Sequence, residues 1–352
     1  MTTIRKVADK AGVSIATVSR VVNGSNAVAP ELRDRVLAAV NRCGYSPSVG
    51  RRSDASIALV YTGAFSVGSP YDLACIEGII DAMLKSHFDL KITDLRRDKT
   101  SKETYSQFFI RKGICGAIVR STFADRDVAR LIGDEGFPAV VMGVRFDHPR
   151  LAFAFNDSRS ASAEGVEHLI SLGHARIAFA ANDVDDGDHL DRLEAYRQTL
   201  VSYGVYDPQL EFRVPAHRLD GAQLIRKMMS LNTPPTAVFV ADPLTACGAI
   251  IEAQKIGLKI PEELSILGFD DSDTRLSVVP AMTAVCQDSR ELGKLAYELL
   301  LRRCEGLNGG SQEGLGKAWL EINHSTGRAP IETVRILPSG ERLSVAGKGA
   351  IS

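Results

Sequence analysis

The side chains whose chemistry is easiest to assign lie together near the N-terminus of this 352-residue chain. Ile15, Ala16, Thr17, Ser19 and Arg20 follow one another within two turns of a predicted short helix. Hydroxyl and guanidinium groups donate hydrogen bonds to phosphate oxygens and base edges, and small apolar groups contact thymine methyl groups. The set therefore predicts recognition of double-stranded DNA and no covalent chemistry.

A pair of helices must hold these side chains in place. Thr3 is placed to cap a first helix, which ends at Gly12, and Ser14 is a good N-cap for a second helix, which ends at Asn23. The apolar residues of each helix fall on one side, as a buried face requires: Ile4, Val7, Ala8 and Ala11 in the first, Val18, Val21 and Val22 in the second. A short turn with a glycine between two such helices is typical of a helix-turn-helix.

A third helix completes the segment. Pro30 suits its first turn, and the helix is expected to stop at Gly44. The turn alone fits any all-α domain about as well, so the DNA-binding interpretation depends on agreement across the whole of residues 1–47.

That segment resembles the headpiece of the LacI/GalR (lactose-repressor) family of transcription regulators nearly position by position. The matching residues are Thr3-Ile4, Val7-Ala8, Ala11-Gly12-Val13-Ser14, Ala16-Thr17-Val18-Ser19-Arg20-Val21-Val22-Asn23, Val36, Gly44-Tyr45 and Pro47. The resemblance implies contacts to DNA from Thr3, Ser14, Ile15, Ala16, Thr17, Ser19, Arg20 and Asn23.

The net charge of −1 is divided unevenly along the chain. Residues 1–53 contain nine basic and three acidic residues, a net charge of +6, and the remainder contains 33 basic and 40 acidic residues, a net charge of −7. A basic segment on an acidic body is typical of phosphate binding at one end. Charge alone would fit a solvated basic face better, and the coincidence with the helix-turn-helix favours DNA.

Composition limits the class of protein. With 45% hydrophobic residues the chain has room for two or three compact units. It has no run of 18 apolar residues and no apolar leader before the first predicted helix, so we expect a cytoplasmic protein with no membrane partner. The six cysteines lack C-x-x-C spacing and are interpreted as small buried apolar residues.

Beyond residue 56, short apolar strands alternate with helices of about ten residues, a pattern that predicts parallel sheets. The alternation restarts after Asn156-Asp157, which predicts two similar α/β units. We therefore expect a headpiece over residues 1–47, a connector over 48–56, a two-lobed α/β body over 57–330 and a tail over 331–352. The tail sequence fits either a hairpin or a disordered segment.

The body also resembles the LacI/GalR family, whose sensor part resembles periplasmic sugar-binding proteins. The matching residues are Leu172-Gly173-His174, Arg176-Ile177-Ala178-Phe179, Arg192, Tyr196, Ala237, Phe239-Val240-Ala241, Ser265 to Asp271, Pro280, Thr283, Val285, Gln287, Gly293, Ser325-Thr326 and Pro330. The resemblance implies a small effector in a cleft between the two units, where open α/β sheets commonly bind ligands.

Four residues match cleft positions of the family. Tyr71 is expected to stack on a sugar or base, and Arg192 to fork onto hydroxyls or a carboxylate. Asp242 stands where the family more often has Asn, and Asp270 follows a predicted strand. For an isolated Arg or Asp, a surface ion pair is the alternative.

The connector departs from the family pattern. Family members usually carry a hinge whose leucine wedges into the minor groove, whereas residues 48–55 contain no leucine and are several residues shorter. Arg51 and Arg52 are expected to follow the DNA backbone or to enter a narrow minor groove.

Enzyme signatures are absent from the sequence: we find no G-x-S-x-G, H-E-x-x-H or P-loop motif, and we expect no cofactor and no metal. The glycine-rich residues 306–316 are interpreted as a flexible loop. The expected protein is a homodimeric, effector-regulated DNA-binding regulator of repressor type that recognises a pseudopalindromic operator. The alternatives are a sugar-binding transport component and an enzyme on an α/β scaffold.

Overall fold

The computed structural model describes residues 3–22, 28–43, 56–63, 67–122, 124–183, 187–215, 217–306 and 313–346. The first three helices are α1 (Ile4–Ala11), α2 (Ile15–Val22) and α3 (Pro30–Cys43). They share a small core of Val7, Ala8, Ala11, Val18, Val21, Val36, Ala39 and Val40. The predicted three-helix headpiece is confirmed.

The turn between α1 and α2 has the expected local chemistry at two of three positions. Gly12 ends α1 in the left-handed conformation with φ of 63°, which a side chain disfavours. Ser14 Oγ accepts a hydrogen bond from the Thr17 N–H at 3.1 Å and so caps α2. Thr3 lies at the N-cap of α1 but makes no side-chain cap bond, which corrects the capping prediction for that residue.

The body contains two six-stranded sheets. The first has the order β11-β5-β4-β3-β1-β2. Its strands are β1 (Ser56–Tyr61), β2 (Asp89–Asp94), β3 (Ile114–Arg120), β4 (Ala139–Met142), β5 (Ala152–Asn156) and β11 (Glu313–Gly316). The second has the order β12-β10-β9-β8-β6-β7. Its strands are β6 (Ile177–Asn182), β7 (Glu211–Val214), β8 (Ala237–Val240), β9 (Ser265–Asp270), β10 (Thr283–Gln287) and β12 (Ala318–Glu321).

Helices connect these strands, and β1 to β5 and β6 to β10 pair in parallel within their sheets. The helices are α4 (Pro70–Met83), α5 (Leu95–Asp98), α6 (Tyr105–Arg111), α7 (Arg126–Asp134), α8 (Arg159–Ser171), α9 (Gly187–Ser202), α10 (Arg218–Met229), α11 (Pro243–Lys255) and α12 (Ser289–Cys304). Central strands such as β1 and β9 are buried along their whole length, because helices cover both faces of a parallel sheet. The two-lobed α/β prediction is confirmed.

The chain divides into two compact units that are not continuous in sequence. One comprises residues 1–65, 77–155 and 293–314, and the other residues 66–76, 156–292 and 315–352. The chain thus enters the second unit for the last time within β11, after Gly314.

Three segments differ from the sequence-based expectation. β5 was not predicted, because its residues lie beside a proline-containing loop and give no helix alternation. The glycine-rich residues 306–316 are not a loop throughout, since residues 313–316 form β11; residues 307–312 lie outside the described part. β12 pairs antiparallel with β10, a long-range contact that local pattern cannot reveal.

The tail forms a hairpin, one of the two outcomes left open. β13 (Glu332–Ile336) pairs antiparallel with β14 (Arg342–Ala346). Ile336 is buried in the core of the second unit beside α10 and α11. Arg335 Nε donates to the Ser230 carbonyl at 3.1 Å, and Arg342 Nη2 lies 2.7 Å from Glu263 Oε1. The hairpin is therefore an integral part of that unit.

Candidate DNA-binding surface and effector site

The outer face of α2 presents the residues expected to contact DNA. Ser14, Ile15, Ala16 and Arg20 are exposed, whereas Val18 and Val21 turn inward. Ile15 is 43% exposed, which is unusual for an isoleucine that has a core available beside it. An exposed apolar side chain on a surface helix that also carries an exposed arginine fits contact with thymine methyl groups.

Two hydroxyls on this face are already paired with each other. Ser14 Oγ lies 2.9 Å from Thr17 Oγ1 and also caps the helix. Each hydroxyl retains acceptor or donor capacity for a phosphate oxygen or water. Thr3 is exposed one helix away, while Asn23, Arg51 and Arg52 lie outside the described residues.

Arg192 lies on the second turn of α9 and is only 4% exposed. Its Nη1 donates to the Ala241 carbonyl at 2.8 Å, and its guanidinium carbon stacks 3.4 Å from the ring centroid of Phe269. Asp188, one turn earlier, lies 3.8 Å from Nη2. Burial of an arginine requires such partners. The arginine is therefore held rigidly between the carboxyl ends of β8 and β9.

Asp270 ends β9, and its carboxylate is fully engaged. It accepts from the backbone N–H of Ser272, Thr274 and Arg275 at 3.3, 3.0 and 3.1 Å, and from Arg275 Nη1 at 2.9 Å. A carboxylate offers about four lone-pair sites, so these four bonds occupy them. Asp270 organises the loop that follows it, and an effector can bind it only by replacing one of these donors.

The neighbouring Asp271 was not singled out from the sequence. Its Oδ1 accepts from Ser289 Oγ at 3.0 Å and from Gln287 Nε2. Burial raises the pKa of Asp271 to about 6, although the nearby positive charge of Arg192 acts in the opposite direction. The sequence signal was present, because Asp270 and Asp271 are adjacent, but which of them faces Arg192 depends on how β9 ends.

Three buried polar atoms around these residues have no hydrogen-bond partner within the described chain. They are Arg192 Nε, Thr245 Oγ1 and Gln287 Oε1. Each residue is at least nine-tenths buried. An unpaired buried polar atom costs about 1–3 kcal/mol, which a ligand hydroxyl could recover by hydrogen bonding. Arg192 Nε is a donor, Gln287 Oε1 is an acceptor and Thr245 Oγ1 can be either.

The other two predicted effector residues have local structural roles. Asp242 is the N-cap of α11 and accepts from the Thr245 N–H at 2.8 Å. It therefore positions the helix whose first turn carries Thr245. Tyr71 lies in the first turn of α4, not in a loop, and is 8% exposed. Whether either residue touches an effector stays a prediction.

Among the described residues, no group of three His, Cys, Asp or Glu side chains is arranged to hold a metal ion. None of the helices described is both long enough and apolar enough to cross a membrane.

Comparison with known proteins places both parts of the chain in one family. Residues 3–48 match the family of bacterial regulatory proteins of the lacI type, and residues 166–320 match the periplasmic binding protein-like domain. The HTH-type transcriptional repressor CytR of Escherichia coli (strain K12) is 31% identical over 334 residues, covering 93% of this chain and 97% of CytR.

Two solved structures share the fold. The transcriptional regulator CelR in complex with cellobiose is 25% identical, with a TM-score of 0.65, and the match covers 92% of this chain and all of CelR. The lac repressor dimer bound to its operator and an anti-inducer is 23% identical, with a TM-score of 0.65 and coverage of 92% and 99%.

Proposed function

Because the chain belongs to the LacI family of bacterial transcription regulators, we propose that it is a repressor that binds a pseudopalindromic operator as a homodimer and responds to a small polyhydroxylated effector. The family and its DNA-binding headpiece rest on the match to CytR. The effector class, the residues that bind it and the oligomeric state are the proposed part.

The effector proposal depends on one observation, the unpaired buried atoms at the carboxyl end of the second sheet. A donor on Arg192 and an acceptor on Gln287 match the hydroxyl groups of a sugar, each of which accepts and donates one hydrogen bond. The Phe269 ring under Arg192 keeps the guanidinium in place. The cellobiose complex of CelR shows that a protein of this fold takes a sugar, which supports the same class here.

The homodimer proposal is supported by an exposed apolar surface on the second unit. It comprises Leu219 on α10, Ile251 on α11 and Leu276 and Val279 after β9, which are 79, 48, 58 and 78% exposed. Gln254 Nε2 donates to the Val279 carbonyl, so this loop lies against α11. Exposed apolar patches of this kind mark protein interfaces, and a second copy suits the two-fold symmetry of a pseudopalindrome.

Mass spectrometry under native conditions, on protein freshly isolated without added ligand, tests the effector proposal. We expect the wild-type chain to carry a sugar-sized ligand and the Arg192→Lys variant to lose it, because the ammonium group of lysine cannot replace the planar set of guanidinium donors. Arg176→Lys is the control, since Arg176 pairs with Asp207 at 2.9 Å before β6 begins. A ligand retained equally by all three proteins would place the effector elsewhere.

The DNA part is tested independently by selecting duplexes from a random-sequence pool with the full chain. A recovered motif with two half-sites supports the regulator, and Arg192→Lys should recover the same motif. If no duplex is enriched and a sugar is still bound, the chain is a sugar-binding protein without regulatory DNA binding.

A further inference from the structure

The loop after β9 is tied to a distant strand by one buried arginine. The Arg275 side chain is 11% exposed and contacts three carboxylates. Nη1 donates to Asp270 Oδ2 at 2.9 Å and to Asp273 Oδ1 at 2.6 Å, while Nε donates to Glu321 Oε1 at 2.7 Å. Asp270 ends β9 and Glu321 ends β12, so a single guanidinium links two strands that are not neighbours in the sheet.

The pKa shifts in this cluster have the same contacts as their cause. Burial alone would lower the pKa of Arg275, but the hydrogen bonds to Glu321, Asp270 and Asp273 raise it. The Arg275 hydrogen bond likewise lowers the pKa of Glu321. Charge-assisted bonds from a planar guanidinium are directional, so the ion pairs fix the relative position of the two carboxylates.

The loop held by Arg275 contains backbone strain. Asp273 adopts φ of 60° and is the one described residue other than glycine with a positive φ. Such a conformation costs of the order of 1 kcal/mol and persists only where surrounding contacts stabilise it. The contact from Arg275 Nη1 is positioned to do so. If Arg275 releases this segment, the loop can relax to a second conformation.

A rearrangement of this loop can affect residues outside it, through contacts of Arg275 and its neighbours. Glu321 lies on β12, which follows β11 of the first sheet after a single residue. Trp319, two residues earlier on the same strand, contributes to lowering the pKa of Glu321. Leu276, next to Arg275, belongs to the exposed apolar surface proposed for dimer formation. Arg275 therefore contacts both Asp270 and the Glu321 side chain of β12. It is also adjacent in sequence to Leu276 of the exposed apolar surface.

From this geometry we infer that Arg275 occupies the Asp270 carboxylate in the absence of an effector: an effector hydroxyl that binds Asp270 displaces Arg275 and thereby releases the Glu321 side chain on β12. The inference rests on the proposed function and on Asp270 as one of the residues that bind the effector. Asp270 has no unused lone pair while Arg275 is bound. Three of its four donors are backbone N–H groups, so the bond from Arg275 Nη1 is the only one that a side-chain rotation can remove. Arg275 is thus a positioning residue, which transmits the binding of an effector at Asp270 to Glu321.

Breaking the ion pair without effector should imitate this displacement. Arg275→Lys retains the positive charge but loses the fork that reaches Asp270 and Glu321 together, and Glu321→Gln removes the second anchor. The probes are the duplex selected by the wild-type chain and the emission of Trp319, the only tryptophan. Arg176→Lys is the matched control, because it weakens a comparable ion pair in the same unit.

We expect both variants to shift operator affinity in the same direction by at least about threefold, the scale of coupling changes produced by residues between two sites. Both should shift Trp319 emission, and the double variant should equal the single variants, because the two residues act through one contact. Arg176→Lys should match wild type in both measurements.

Operator affinities within twofold of wild type in both variants, despite a Trp319 shift, would overturn the inference, as would additive effects in the double variant. If Arg275→Lys does not fold, as judged by circular dichroism, Glu321→Gln decides alone. Failure of the wild-type chain to select any duplex would instead overturn the proposed function.

Discussion

At the scale of single residues, the buried polar groups separate into two kinds. His174 and Asp270 have all their hydrogen-bonding capacity satisfied within the fold, whereas Arg192, Thr245 and Gln287 each retain an unpaired atom. Unpaired buried polar atoms also occur elsewhere in the described residues, and the three beside Arg192 are the observation that supports the proposed effector site. Two predictions belong at this scale.

Arg20→Ala is expected to cost about 1–3 kcal/mol of specific operator binding, because an arginine fork on a guanine edge supplies discrimination of that size. Arg20 is exposed on the face of α2 opposite Val18 and Val21. Fluorescence anisotropy with the selected duplex and with a scrambled duplex measures the ratio of the two affinities. Lys10→Ala, an exposed position on α1, is the control; it should weaken both duplexes alike if it contacts DNA. An unchanged ratio for Arg20→Ala would remove Arg20 from base readout.

His174 is expected to make folding stability depend on pH. Its ring nitrogens bond to Thr236 Oγ1 at 2.8 Å and to Ser265 Oγ and the Gly327 carbonyl at 3.0 Å. Burial lowers its pKa from 6.5 to about 4. The unfolded chain therefore binds the proton first, so the contribution of the neutral ring is complete above pH 6.5 and is lost as the pH falls toward 4.

A pKa lowered from 6.5 to about 4 corresponds to about 3.5 kcal/mol at 1.4 kcal/mol per pKa unit, of which about 2.5 kcal/mol is lost by pH 4.5. Urea unfolding of wild type and His174→Gln at pH 7.5 and 4.5 measures it. The difference between the two proteins should shrink at the lower pH. His87→Gln, at an exposed position, should follow wild type at both values. A constant difference between His174→Gln and wild type would contradict the prediction.

At the scale of elements, α10 and α11 approach each other through two glycines. A Cβ on Gly248 would lie 1.9 Å from the Arg218 carbonyl oxygen, and one on Gly221 would lie 2.1 Å from that of Thr245. Both obstacles are backbone atoms, which cannot rotate away. Asp242 and Thr245 lie at the N-terminal end of α11, whereas Ile251 further along the helix belongs to the exposed apolar surface.

Gly248→Ala is consequently expected to destabilise the second unit by at least about 1–3 kcal/mol, the usual cost of overpacking. Thermal unfolding followed by circular dichroism measures the loss. Lys255→Ala, at an exposed position of the same helix, should change stability by less than about 0.5 kcal/mol. A wild-type midpoint for Gly248→Ala would show that the helices separate at little cost.

At the scale of the whole molecule, we expect DNA bending to depend on the connector. Ser56, its predicted last residue, belongs to β1 instead, and residues 48–55 lie outside the described part of the chain. The largest apolar side chain in residues 48–55 is that of Val49, and a small wedge unstacks a base step less than a leucine does. The chain should therefore bend its operator weakly in a circular-permutation assay, and Val49→Leu should increase the bend. Strong bending by wild type, unchanged in Val49→Leu, would refute the idea.

The sequence by itself determined the headpiece, the α/β class and the position of Arg192. These features depend on local signals: caps, helical spacing, buried strand runs and motifs that resemble a family. Their periodicity is set by backbone geometry over a few residues, so it is visible without the fold.

Only the tertiary structure decided which polar groups are available to a ligand. Asp270 and Asp271 are adjacent residues of the same type, yet the loop after β9 occupies the carboxylate of Asp270 with four donors, while Asp271 accepts from Gln287 and Ser289. The link from Arg275 to Glu321 joins residues 46 positions apart, and β12 pairs with β10 across a connection of similar length. Such contacts depend on how distant segments pack, because hydrogen-bonding capacity is allocated in three dimensions and leaves no periodic trace in the sequence.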